Sequence, residues 1–175
     1  MLHKWMKLQK ETECESMVTI PRFIGNSNCQ LPCFCNVSTK THVSVIYLSS
    51  DAGVNLLFSK ARVASIKKLG TPRLECSAYW CPYAQLCTRT TSTPLEKKFL
   101  WSDNQCVLHW IMSNKPLTTF VQGRVKEITE TKDISFRYVA TSQNPADLAR
   151  RGVSAQVLDN CELWWHGLKW LQDIK

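Results

Sequence analysis

The chain has 175 residues, of which 44% are hydrophobic and 21% are charged, and its formal net charge is +8. This composition suits one globular domain and argues against disorder, while the positive charge fits nucleic acid as a partner and also fits many ordinary basic proteins. No apolar run approaches the roughly 20 residues that span a bilayer, so we expect an intracellular protein, cytoplasmic or nuclear, without a membrane partner.

The first predicted elements are an arm and three strands. Residues 1–30 are mixed in character and end in turn-like residues, which is typical of an arm that leads into a domain. Three short β-prone runs follow, at Cys33–Val37, Val43–Leu48 and Val54–Phe58, and Ser, Thr, Lys, Asp and Gly residues divide them. This pattern predicts a three-strand meander.

A basic connection and a helix follow the meander. The connection runs from Lys60 to Lys68. Thr71 and Pro72 then open a helix with proline at its first position, which places Glu75 in the first helical turn.

After a Ser/Thr-rich linker, the chain predicts a strand, two helices and another strand. Phe99–Trp101 forms the fourth strand, which ends at Asp103. The spacing of apolar residues predicts helices around residues 107–111 and 120–128. Alternating apolar residues over 134–138 predict the fifth strand.

The segment Asn144–Gly152 carries the signals of a complete short helix. Asn144 is a capping residue, proline follows at the first position, Asp147 lies in the first turn, and the last turn is basic. The full element order, βββαβα(α)βα, predicts an α/β fold built on a mixed sheet.

Nine cysteines are present, and none forms a Cys-x-x-Cys pair. Cys33 and Cys35 on a strand would point their thiols to the same face, without the second pair that a tetrahedral zinc site needs. We therefore expect buried free thiols.

Three carboxylates fall at the ends of predicted elements: Glu75, Asp103 and Asp147. Hydrolysis of a phosphodiester with two magnesium ions needs several carboxylates, drawn from different elements, that converge on both ions. Each acid taken alone is also explained as a helix cap, because an acid in a first turn interacts favourably with the helix dipole.

Four sequence segments surround these acids and position 36. They are Cys33-Phe34-Cys35-Asn36-Val37-Ser38, Thr71-Pro72-Arg73-Leu74-Glu75, Leu100-Trp101-Ser102-Asp103 and Asn144–Gly152. In this order they closely resemble the ribonuclease H region of BEL/Pao-type retrotransposon polyproteins, which reads there roughly F-C-D-A-S, P-R-L-E, W-S-D and N-P-A-D-L-A-S-R-G. Further similarities at 20–22, 59–69 and 163–171 extend the resemblance over about residues 20–171.

The resemblance implies a ribonuclease H-like fold, a five-stranded mixed sheet flanked by helices, that cuts the RNA strand of an RNA–DNA hybrid with two Mg²⁺ ions. It matches Glu75, Asp103 and Asp147 to the family's second, third and fourth metal-binding acids. Asn36 matches the first, which is an aspartate in the family.

The resemblance also divides the chain. Residues 1–30 correspond to an arm resembling the connection from polymerase to ribonuclease H, residues 31–152 to the domain itself, and residues 153–175 to a Trp-rich extension.

Asn36 changes the expected chemistry. Asparagine offers one neutral carbonyl oxygen where aspartate offers two oxygens and a charge. The loss of a unit charge about 4 Å from a cation is worth roughly 4 kcal/mol at an effective dielectric of 20, or about a thousandfold in rate. We therefore expect a degenerate, catalytically impaired domain, and an active two-metal ribonuclease H with Asn36 as a weaker ligand is the alternative.

Two further interpretations concern binding. A remnant domain could bind an RNA–DNA hybrid or another nucleic acid through a basic set, for which a solvated loop is the competing explanation. This set is Lys60, Arg62, Lys67, Lys68 and Arg73. The C-terminal tryptophans, Trp164, Trp165 and Trp170, suggest either a protein-interaction module or packing on the domain edge.

Overall fold

The structure is a computed structural model that describes residue 6 and residues 29–63, 95–130 and 134–173. Its strands are β1 (Cys29–Val37), β2 (Thr41–Ser50), β3 (Gly53–Val63), β4 (Leu95–Ser102) and β5 (Ile134–Tyr138). They form one sheet in the order β3-β2-β1-β4-β5. The first three strands are antiparallel, whereas β4 runs parallel to β1 and β5 runs parallel to β4. The predicted five-stranded mixed sheet is confirmed.

Five helices lie in the described ranges. They are α1 (Gln105–Met112), α2 (Thr119–Thr129), α3 (Pro145–Arg151), α4 (Ala155–Asp159) and α5 (Glu162–His166), with 3₁₀ turns at Thr141–Gln143 and Lys169–Asp173. The helices predicted near 107–111, near 120–128 and after Asn144 are confirmed. The helix predicted from Thr71, the Ser/Thr-rich linker and most of the arm lie outside the described residues. None of the described helices is long and apolar enough to cross a membrane.

The sheet is covered on both faces, which explains why β1 is buried along almost its whole length. Cys33 and Cys35 of β1 pack on one face with Val107 of α1 and Ile128 of α2. The intervening Phe34 packs on the other face, where it joins a second cluster. That second cluster also contains Tyr47, Trp101, Ala146, Trp164 and Leu171.

The cysteines of β1 confirm the prediction of free thiols on one face. Cys29, Cys33 and Cys35 are buried and form no disulfide, and the Sγ atoms of Cys33 and Cys35 lie 3.8 Å apart. Cys106 departs from the expected burial, because it lies exposed in the first turn of α1.

Strand β3 is longer than the sequence predicts. The expected strand stopped at Phe58, but pairing with β2 continues to Val63, with Lys60 opposite Ser44 and Arg62 opposite His42. An edge strand accepts lysine and arginine because their long side chains reach solvent while the backbone keeps its hydrogen bonds. The prediction that a connection begins at Lys60 is therefore wrong.

The Trp-rich C-terminal segment packs against the sheet. The hydroxyl of Tyr47 on β2 donates hydrogen bonds to the carbonyls of Leu163 (2.9 Å) and Trp164 (3.0 Å). The rings of Trp101 and Trp170 lie 4.7 Å apart between centroids. Trp164 is only 7% exposed. These contacts agree with the interpretation that the tryptophans pack on the domain.

We expect Tyr47→Phe to lower the free energy of unfolding by about 1 to 3 kcal/mol, because a buried carbonyl and a partly buried one lose their donor. Burial raises the pKa of Tyr47 well above its usual range, so the hydroxyl keeps its proton and remains a donor. Chemical denaturation measures the loss. Tyr138→Phe is the matched control, since Tyr138 is 47% exposed, and equal losses in both variants would contradict the assigned role.

Candidate active site

Three of the four predicted site positions meet at one end of the sheet. Asn36 lies near the end of β1, Asp103 directly follows β4, and Asp147 lies in the first turn of α3. The Asn36 side-chain amide donates to Asp147 Oδ1 at 3.1 Å and to Asp103 Oδ2 at 3.5 Å. Glu75, the fourth predicted position, lies outside the described residues.

The fold places Asn36 on the face that α3 covers. Asn36 pairs across β1 and β2 with Val43, which belongs to the same buried cluster as Ala146 of α3. Cross-strand partners share a face of the sheet, so the Asn36 side chain projects toward the start of α3. It is 5% exposed.

Asn144 fixes the start of α3 against β1. Its Nδ2 donates to the carbonyl of Cys35 at 3.0 Å, while its Oδ1 accepts from the backbone N–H of Ala146 at 3.1 Å. One buried side chain therefore caps the helix and joins it to the residue before Asn36. This connection sets the distance between Asn36 and Asp147.

Asp103 does not cap α1. Asn104 does so, because its Oδ1 accepts from the backbone N–H groups of Cys106 (2.9 Å) and Val107 (3.3 Å). The capping interpretation of Asp103 is therefore wrong. Its carboxylate instead lines an open pocket at the ends of β1 and β4.

Two arginines from its own helix neutralise Asp147. Arg150 directs Nε (2.8 Å) and a terminal nitrogen (2.5 Å) to Oδ1, and Arg151 directs Nε to Oδ2 at 2.6 Å. The sequence indicated only a basic last turn that complements the helix dipole. The spacing of three and four residues from Asp147 was the signal that could have revealed these pairs. Arg150 stands where the family pattern has serine.

The pocket beside these groups, which we call the strand-end pocket, has a volume of about 470 Å³. Its lining residues are Asn36, Val37, Asp103, Asn104, Gln105, Cys106, Thr141 and Arg150. One carboxylate, one guanidinium and several neutral polar groups thus face the same space.

The described residues do not fit two magnesium ions. Mg²⁺ takes oxygen ligands, mainly carboxylates and water, but Asn36 directs N–H groups at both carboxylates here. Both oxygens of Asp147 are also paired with guanidinium groups, Oδ1 through hydrogen bonds from Arg150 and Oδ2 through an ion pair with Arg151. Within the described part of the chain, no group of three or more His, Cys, Asp or Glu residues is arranged to hold a metal ion.

The basic residues of β3 lie near the site but do not enter it. Arg62 shares a row of the sheet with Val37, at the end where the acids meet. Lys60 pairs with Ser44, and Ser44 pairs with Cys35, which faces α1 and α2, so Lys60 lies on the sheet face opposite α3. Arg62, two residues further along the same strand, projects from the same face as Lys60. The other predicted basic residues, Lys67, Lys68 and Arg73, lie outside the described residues.

Comparisons with known proteins agree with the fold. The sequence profile of the Pao retrotransposon-like RNaseH-like domain matches residues 1–104. RNase H1 from Halobacterium salinarum NRC-1 is 13% identical, with 77% of this chain and 99% of that chain covered and a TM-score of 0.50.

A second solved structure, the N-terminal RNase H domain of a Mycobacterium tuberculosis protein fused to maltose-binding protein, is 7% identical. The match covers 67% of this chain and 92% of that chain, with a TM-score of 0.50. At such identities the likeness shows the fold alone, which is that of ribonuclease H. No curated protein matches the chain.

Proposed function

The chain belongs to the Pao retrotransposon-like RNaseH-like domain family, and from this premise we propose that it is a catalytically impaired ribonuclease H-like domain that binds nucleic acid without cutting it. The observation that carries the proposal is the Asn36 amide, which donates to both Asp103 and Asp147. An aspartate at this position would instead add a third anion to the cluster.

The charge balance supports impairment. A cation at the junction of the three side chains would face the N–H groups of Asn36 and would compete with Arg150 and Arg151 for Asp147. The loss of one anionic ligand about 4 Å away is worth roughly 4 kcal/mol, which corresponds to about a thousandfold in rate.

Basic character supports the retention of nucleic-acid binding, and an RNA–DNA hybrid is the partner we propose. The chain carries 22 Lys and Arg residues against 14 Asp and Glu residues. Contacts to phosphates need only positive charge and reach, and they do not require metal-dependent chemistry. Lys60 and Arg62 supply such charge at the site end of β3, and we assign Lys67, Lys68 and Arg73 to the same role.

The native chain is expected to leave a labelled RNA–DNA hybrid uncut in the presence of Mg²⁺ or Mn²⁺. Asp103→Asn removes a carboxylate from the strand-end pocket and serves as the background control. Gel analysis of the labelled strand measures cleavage. Metal-dependent cleavage by the native chain that disappears in Asp103→Asn would overturn the proposal.

Binding of the same hybrid is expected to weaken steeply with salt, because bound phosphates release counterions. Fluorescence anisotropy across a salt series gives the slope, and Lys67→Ala/Lys68→Ala should reduce it by up to about two. Lys169→Ala is the control, since Lys169 lies beside Gly53, at the other end of β3. A salt-independent affinity, or no binding, would contradict a nucleic-acid role.

A further inference from the structure

We propose that Arg150 binds a phosphate group of the nucleic acid directly in the strand-end pocket, without a metal ion. This inference rests on the proposed function, because it locates one contact through which the impaired domain holds its partner. The ligand class is a phosphodiester of the nucleic-acid backbone.

The Arg150 guanidinium has N–H donors that its hydrogen bonds to Asp147 do not use. Its Nε and one terminal nitrogen donate to Asp147 Oδ1, whereas a guanidinium carries five N–H groups. The side chain is 27% exposed and lines the pocket, so its remaining N–H groups are within reach of a ligand there. The carboxylate of Asp147 fixes the guanidinium plane, which lowers the conformational entropy that phosphate binding would otherwise consume.

The charges around the strand-end pocket favour binding of an anion more than the charges of a site with four carboxylates would. Asn36 is neutral, and the two arginines compensate Asp147, which leaves Asp103 as the remaining described carboxylate that lines the pocket. In a site of clustered acids a phosphate needs metal ions to offset repulsion. Here one guanidinium supplies positive charge within the protein itself.

Neutral donors add to this arrangement. Thr141 and Gln105 are exposed residues that line the same pocket, and their hydroxyl and amide groups suit phosphate oxygens. A pocket with one fixed guanidinium and neutral donors around it can bind a phosphodiester without a specific base contact.

A comparison with Arg151 distinguishes phosphate binding by Arg150 from a purely structural role of Arg150. It forms the same kind of ion pair, with the other oxygen of Asp147, but it is 63% exposed and does not line the pocket. If Arg150 only neutralised Asp147, removal of either arginine would have a similar effect on binding. Arg151 is therefore the matched control.

The test measures binding of an RNA–DNA hybrid by fluorescence anisotropy, in EDTA and in Mg²⁺. The native chain is expected to bind with the same affinity in both. Arg150→Gln should weaken binding about tenfold and reduce the salt slope by about one, whereas Arg151→Gln should change affinity less than about twofold. Arg150→Lys keeps the charge and should recover most of the affinity, which guards against a folding defect in Arg150→Gln.

Asp103→Asn is expected to change the affinity for the hybrid in the opposite direction to Arg150→Gln. Because it removes a negative charge from the pocket, it is expected to tighten binding of the hybrid in EDTA. If Asp103 instead held a bridging metal ion, its neutralisation would weaken binding in Mg²⁺.

Equal effects of Arg150→Gln and Arg151→Gln, or a native chain that binds only with Mg²⁺, would overturn the role of Arg150. A native chain that binds without cutting, together with an Arg150→Gln variant of unchanged affinity, overturns this inference and leaves the proposed function intact. Metal-dependent cleavage by the native chain, or no binding of the hybrid at all, removes the proposed function itself.

Discussion

The double variant Asn36→Asp/Arg150→Ser is expected to bind Mg²⁺ and to cleave an RNA–DNA hybrid at least about a thousandfold faster than any background cleavage by the native chain. In the native chain, Asp103 and Asp147 are balanced by Arg150 and Arg151, and Asn36 is neutral. The double variant adds one anion and removes one cation. The added anion alone is worth roughly 4 kcal/mol toward a cation about 4 Å away, which corresponds to about a thousandfold, and removal of the arginine that pairs with Asp147 adds to this, so the stated factor is a lower bound.

The two single variants show how much each substitution contributes to Mg²⁺ binding and cleavage. Asn36→Asp alone leaves Arg150 paired with Asp147, so we expect weaker Mg²⁺ binding and slower cleavage than in the double variant. Arg150→Ser alone retains the Asn36 amide and should stay inactive. Calorimetric titration measures the metal and a labelled hybrid measures cleavage. Equal cleavage by the native and double-variant proteins, or no Mg²⁺ binding by the double variant, would show that position 36 is not the first acid of the site.

Asn144→Ala is expected to lower the free energy of unfolding by roughly 2 to 4 kcal/mol. The substitution removes the cap of α3, which is worth about 1 kcal/mol, and leaves the buried carbonyl of Cys35 without its donor, which costs about 1 to 3 kcal/mol. The side chain is 1% exposed, so water cannot easily replace either hydrogen bond. Urea denaturation measures the change.

Asn104→Ala is the matched control for this variant. Asn104 also caps a helix, α1, with its Oδ1, but it is only partly buried. We therefore expect a loss of about 1 kcal/mol from the cap alone. If both variants lose the same stability, the bond from Asn144 to β1 contributes nothing beyond capping.

Much of the fold could be predicted because local chemistry and tertiary structure agree. The cap, proline and terminal glycine around α3 specify a helix of that length wherever it packs. The alternation that puts Phe34 and Cys35 on opposite faces follows from strand geometry. The length of β3 could not be predicted, because Lys60 and Arg62 look like loop residues until a neighbouring strand pairs with them.

The convergence of three of the four predicted positions could be predicted from the sequence, whereas the charge pairing around them could not. The sequence segments identified Asn36, Asp103 and Asp147, and the structure brings these three together. The ion pair between Arg150 and Asp147 depends on the rotamers of both side chains on one short helix. The spacing of three residues allows this pair but does not require it. Asn104 caps α1, which leaves the Asp103 carboxylate without a capping role. Asp103 and Asn104 are adjacent polar residues, and only the backbone geometry decides which of them is the cap.

The separation of the site residues along the chain has a consequence for the order of folding. The β1–β2–β3 meander closes through short turns, whereas the bonds of Asn36 to Asp103 and Asp147 span 67 and 111 residues. Loop closure over such distances comes late, because its entropy is lost before any contact compensates for it. A partly folded intermediate would therefore contain a formed meander and an Asn36 amide without partners, and the cluster would complete itself only as β4 and α3 dock.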